Sequence, residues 1–146
     1  MARAGWTAVV AAVVAASAVV MAQKISTADE LDKAMKANGA ANQAMRKAIG
    51  SNAYADARTQ LKVMRQSVAG VESFMTLKKK DDGVKMAKDA LAKIEALDTA
   101  LGAATPDAAA VAGALKELGG TCQACHMEYR DKDASGQYII KPGKID

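Results

Sequence analysis

From residue 26 to residue 130, apolar side chains return every three or four positions, the period of a helix that buries one face. No run alternates in the two-residue period of a half-buried strand. The pattern resolves into four segments. The first opens at Thr27, with Glu30 three residues on in capping-box spacing. It carries Leu31, Met35, Asn38, Asn42, Met45 and Ile49 on one face until Gly50-Ser51-Asn52 ends it. The second starts near Tyr54 and repeats Leu61, Met64, Val68, Val71 and Met75, and Lys78-Lys79-Lys80 complement its negative end. In the third, Asp81 and Asp82 suit the positive end, Val84, Ala87, Leu91, Ile94 and Leu101 face inward, and Gly102 closes the segment. Thr105-Pro106-Asp107 predicts the start of a fourth helix, with Thr105 as its cap and Pro106 in the first helical position. The inward positions of this helix are Val111, Leu115, Leu118, Cys122, Cys125 and Tyr129.

Four helices of about twenty residues with short connections predict an all-α, antiparallel up-down-up-down four-helix bundle. Beyond Asp133 the periodicity fails at Gly136, Pro142 and Gly143. Residues from about 134 to 146 are therefore expected to lie on the bundle as a tail, tacked down by Tyr138-Ile139-Ile140.

The amino-terminal stretch differs in kind. Arg3 is its only charge, and the uncharged, mainly apolar run from Thr7 to Val20 is shorter than the roughly 20 residues of a membrane-spanning helix. Small residues at Val20 and Ala22 predict a signal peptide over 1–22, cut before Gln23, leaving 23–146 as a single periplasmic domain that meets the membrane only during export. An uncleaved anchor is the alternative, and it too places the domain outside the cytoplasm.

The 146 residues include 20 Lys and Arg against 16 Asp and Glu, a net charge of +4, but the cations are scattered rather than gathered in a stripe. Nucleic-acid binding is not expected from such a distribution. After cleavage the only aromatics are Tyr54, Phe74, Tyr129 and Tyr138, so the core is thin in large side chains and has room for a bulky buried cofactor.

The chemistry gathers at Cys122-Gln123-Ala124-Cys125-His126, a C-x-x-C-H sequence. On a helix Cys122, Cys125 and His126 share an arc of roughly 100°. Two thiols at this spacing can add across the vinyl groups of one haem while the adjacent imidazole reaches its iron, so one covalently bound haem c per chain is expected. Three other readings compete. A redox dithiol would sit at the start of a helix that follows a strand, whereas this motif lies late in a helix. Zinc would need four ligands, and the chain offers two Cys and one His. The third is an inert pair of buried cysteines. Because His126 is the only histidine, the far side of a haem iron is left to a Met, to another donor or to nothing. Cleavage removes Arg3 and leaves 19 basic against 16 acidic residues, so two haem propionates would bring the net charge close to zero.

With this motif near the carboxyl end of a helical chain, the sequence resembles the class II cytochromes c, the four-helix family that includes cytochrome c′ and the low-spin cytochrome c-556 type. The likeness covers most of residues 23–146. It is carried by Met35-Lys36-Ala37-Asn38-Gly39 in the first helix, Tyr54 at the start of the second, and Cys122-Gln123-Ala124-Cys125-His126 with Tyr129-Arg130 one turn beyond. The resemblance implies haem attachment at Cys122 and Cys125, His126 as axial ligand, and Met35 as sixth ligand to the iron, as in the low-spin members. Five-coordinate members often carry an Arg at the position matched here by Leu31. A Met on an apolar stripe also serves simply as core, the expectation for Met45, Met64, Met75 and Met86. Gly39, one turn from Met35, costs about 1 kcal/mol against Ala in a helix and so suggests close approach by a bulky group. Arg130, four residues after His126 on the same face, either pairs with a haem propionate or complements the helix dipole.

The expected function is electron carriage between redox partner proteins, with no enzymatic turnover. The alternative is a five-coordinate module that binds a small gaseous ligand such as nitric oxide. A haem enzyme is disfavoured because no distal His and no acid–base pair can be named. A homodimer formed through the first helices is compatible with the pattern.

Overall fold

Thr27 begins the first helix by a reciprocal cap: its hydroxyl accepts from the Glu30 N–H, and the Glu30 carboxylate accepts from the N–H of Thr27. The N–H and hydroxyl of Ser26 donate to the same carboxylate. These bonds, that from the Ser26 backbone foremost, hold the Glu30 carboxyl down at about 2. In the computed structural model, which describes residues 24–145, four helices follow in order: α1 Ala28–Gly50, α2 Tyr54–Leu77, α3 Asp81–Leu101 and α4 Ala108–Tyr129. The expected signal peptide and its cleavage point lie outside the described residues. Among those described, no helix is long and apolar enough to cross a membrane.

The first two helices stop in the same way. Asn52 and Lys79 turn into the left-handed region, with φ of 58° and 55°. The N–H two residues past each cap then reaches back into the helix, Ala53 to the Ala48 carbonyl and Lys80 to the Met75 carbonyl. Asn tolerates this conformation through its short polar side chain. Lys79 has no such side-chain help, and the Lys80 bond to the Met75 carbonyl closes the helix around it.

Short turns make each helix antiparallel to the next, and the packed seams are α1 on α2, α2 on α3 and α3 on α4. Met45, Leu61, Met64, Phe74, Ile94, Leu97, Val111 and Leu118 are almost completely enclosed along these seams. The all-α four-helix architecture expected from the periodicity is the one observed. No seam of comparable extent joins α1 to α4.

Two boundaries differ from expectation. Asp107, not Thr105, caps α4: its carboxylate accepts from the Ala110 N–H, and Pro106 precedes the cap instead of occupying the first helical position. A carboxylate caps as well as a hydroxyl and adds its charge to the helix dipole, which favours the later start. The segment after Asp133 is more ordered than a tail. Strands β1 Arg130–Lys132 and β2 Tyr138–Ile140 form an antiparallel ribbon, with Arg130 opposite Ile140 and Lys132 opposite Tyr138. The Lys141 N–H donates to the Tyr129 carbonyl, and Lys144 pairs with Glu128, so the ribbon is tied to the end of α4.

Gly83, in the first turn of α3, lies against side chains of both α2 and α4. A Cβ there would lie 2.7 Å from Met75 Sδ and 3.2 Å from the Tyr129 hydroxyl. Met75 is buried, so its side chain has no open space to move into without displacing its neighbours. Gly83→Ala is therefore expected to cost about 1–3 kcal/mol through overpacking, read as a lower urea midpoint with an unchanged slope.

Candidate functional site

Helix α4 presents the C-x-x-C-H residues in its last two turns, where Cys122, Cys125 and His126 are each half-buried and both thiols are free. Cys122 and His126 line a cavity of about 590 Å³ that opens along the unpacked α1–α4 side. Its α1 wall is Asn42 and Arg46, its α4 wall includes Leu118 and Met127, and Arg130, Lys132 and Tyr138 of the ribbon stand at its end. The volume lies within the roughly 300–1,000 Å³ typical of ligand pockets. Cys125 does not line this cavity; it packs against the core, close enough to Cys122 and Asp82 to feel their charges.

Met35 is half-buried against the core and is also outside the cavity lining. At about 100° per residue, however, its direction from the α1 axis falls between those of Asn42 and Arg46, within roughly 20° of each. It stands about 10 Å from Asn42 along α1, toward the helix start. In an antiparallel bundle that displacement runs in the same sense as the step from Gly119 to His126 on α4. Gly39 is exposed, and a Cβ there would meet nothing within 4 Å. Among the described residues, no group makes the close approach that this glycine suggested.

Arg130 corrects a second expectation. The helix ends at Tyr129, and Arg130 is extended, with φ −112° and ψ 137°, because it starts β1. Its direction is set by pairing with Ile140, not by continuation of the helical face shared with His126. The guanidinium lies 4.0 Å from the centre of the Tyr138 ring at the cavity mouth, and the Lys132 ammonium lies 5.0 Å from the same ring.

Burial sets the protonation of the motif. It pushes both thiols above their ordinary value, and for Cys125 the neighbouring Cys122 and Asp82 push the same way. The Thr121 hydroxyl first, and the Arg46 charge second, partly offset the effect at Cys122. Burial first, and the Arg130 charge second, push His126 below its ordinary value. Near neutral pH the site thus presents two protonated thiols and a neutral imidazole. Reactive dithiols need a lowered thiol pKa, the opposite of what burial does here, so the redox-dithiol reading loses support. A neutral imidazole is the form that ligates a metal.

Two features of the site had little signal in the sequence, the place of Arg46 and the partner of Tyr129, whose inward position the helical period had given. Arg46 falls outside the apolar stripe of α1, although its nearness in angle to Asn42 would have marked it. Tyr129, enclosed at the end of α4, donates a 2.6 Å hydrogen bond to Asp82 across 47 residues and so ties α4 to the start of α3. Burial, then the Asp82 contact, hold its phenol well above the usual tyrosine range, while the bond from Tyr129 holds Asp82 below the usual carboxylate range.

The cavity would suit a large planar group beside α4, held from Cys122 and His126, with Cys125 outside its lining. The α1–α4 side is left unpacked, the cavity is of ligand size, and a thiol and a neutral imidazole of the motif open on it together. Among the described residues, no three His, Cys, Asp or Glu side chains converge to hold a metal ion on their own. Comparison with models of known protein families, with curated proteins and with solved structures finds no match.

Proposed function

We propose that this chain is an exported, monohaem c-type cytochrome that carries electrons between partner proteins in the periplasm, a member of the class II group it resembles. The observation that carries this reading is the opening of Cys122 and His126, two parts of one C-x-x-C-H motif, on a single cavity at the unpacked side of the bundle. Haem c supplies reversible one-electron chemistry at its iron. Cys122 and Cys125 would hold the haem by thioether bonds to its two vinyl groups, each thiol proton passing to the other vinyl carbon, and His126 would offer its neutral imidazole to the iron. Met35 is the sixth ligand in this reading, supported by its direction between Asn42 and Arg46 and its displacement in the same sense as the step toward His126. Thioether ligation favours the ferrous state and raises the potential. Export rests on the uncharged stretch from Thr7 to Val20 and the small residues that follow it.

A second reading is favoured by the absence of Met35 from the cavity lining. In it the iron is five-coordinate at His126 and binds small gases such as nitric oxide. One spectrum separates the two. The purified holoprotein is expected to be low-spin in the ferric state, with a Met–iron charge-transfer band, and to resist carbon monoxide when reduced. Met35→Ala is expected to turn it high-spin and open to carbon monoxide. A high-spin wild type that Met35→Ala leaves unchanged establishes the gas-binding reading instead.

A further inference from the structure

Helix α1 turns three columns of side chains inward, each repeating every seven residues. Ala34, Ala41 and Ala48 form one outer column, and Met35, Asn42 and Ile49 form the other. Leu31, Asn38 and Met45 run between them. Asn38 is thus a carboxamide in the middle of a seam whose other members in that column are apolar. Its Oδ1 is fully enclosed and meets no hydrogen-bond donor. Buried polar atoms are almost always partnered, so an orphan inside a helix seam needs an explanation. Rotation of the carboxamide by 180° about its Cβ–Cγ bond puts the NH₂ group in the enclosed place, where it requires an acceptor.

Met35 lies three residues before Asn38, and side chains at that spacing are neighbours on a helix surface. A thioether sulfur is a weak acceptor with two lone pairs, one of which remains when the other ligates a metal. We propose that Asn38 is the positioning residue of the sixth ligand, its carboxamide N–H donating to Met35 Sδ. The inference rests on Met35 ligation as proposed above. The hydrogen bond fixes the Met35 rotamer and withdraws electron density from sulfur, which favours the ferrous iron. Asn42, one turn further and already on the cavity wall, is not needed for this role.

The test uses holoprotein with covalent haem. Asn38→Leu keeps the volume and removes the donor. Asn38→Asp keeps the shape and, when ionised, offers only acceptors. Both are expected to lower the ferrous-to-ferric ratio at a fixed ambient potential by about three- to tenfold, the scale of one hydrogen bond. Both are also expected to shift the Met–iron band and to speed carbon monoxide binding to the reduced protein. Asn38→Leu apoprotein should unfold at the same or a higher urea concentration than wild type, because the enclosed polar atom is gone. Unchanged ratio and band in Asn38→Leu, or wild-type values in Asn38→Asp, overturn the proposal and leave Asn38 a register-setting residue of the seam. If the wild type itself lacks the Met–iron band, Met35 ligation fails and this role fails with it. A band present in the wild type but indifferent to Asn38 overturns this role alone.

Discussion

Replacing Cys122 and Cys125 together with Ser is expected to abolish covalent haem entirely: after denaturing electrophoresis the chain carries no haem stain, whereas the wild type keeps all of its haem. The effect is all-or-none because these are the only two cysteines in the chain, and no other side chain can form the thioether. Each single replacement leaves one attachment point and should retain haem in part. The fold should survive, since both residues are only half-buried and neither belongs to the fully enclosed core. Far-ultraviolet circular dichroism of the double variant should therefore stay strongly helical. Haem retained through denaturation in the double variant would defeat the cytochrome assignment. So would a wild-type chain, matured with the machinery for c-type haem, that emerges with two free thiols.

The second large effect concerns the core. Phe74 is the only phenylalanine, is 1% exposed, and sits where α2 meets its neighbours late in the helix. Phe74→Ala is expected to cost about 3–5 kcal/mol. Against a total stability of about 5–15 kcal/mol for a domain, that is enough to leave a large unfolded fraction. A core built mainly of Ala, Leu, Val and Met has few bulky side chains that could collapse into the space. The check is urea denaturation with both proteins in the same haem state: the midpoint falls while the slope stays the same. A loss under 1 kcal/mol would mean that the α2–α3 seam repacks freely.

Much of this was legible in residue order. Thr27 and Glu30 make the capping box their spacing predicts, and Leu61, Met64, Val68, Val71 and Met75 are all buried as their period requires. Gly102 closes α3 where it stands. These are local rules, in which each residue's neighbours within one turn decide the outcome. What the sequence hid depends on partners far away. Arg130 leaves the helical face because Ile140 pairs with it, and Tyr129, inward as its period requires, finds its hydroxyl partner in Asp82, 47 residues away. The start of α4 slipped from Thr105 to Asp107 because two adequate caps stood two residues apart, and the dipole favoured the charged one. The candidate site divides in the same way. The C-x-x-C-H spacing was plain, while the turning of Cys122 and His126, but not Cys125, toward one cavity depends on how the helices are arranged around α4.

The unpacked α1–α4 side also bears on how the chain assembles. Every extended seam joins helices adjacent in sequence, so collapse requires only short loops to close. The long closure that would bring the first helix onto the last is not demanded of the polypeptide. Contacts of this local kind are the ones that let a domain fold quickly. The chain can therefore reach a defined arrangement of helices while the edge bearing Cys122 and His126 is still accessible from outside. Folding leaves that edge open but encloses Cys125 against the core, so any group joined to both thiols would have to be joined before that packing closes, or would have to part it.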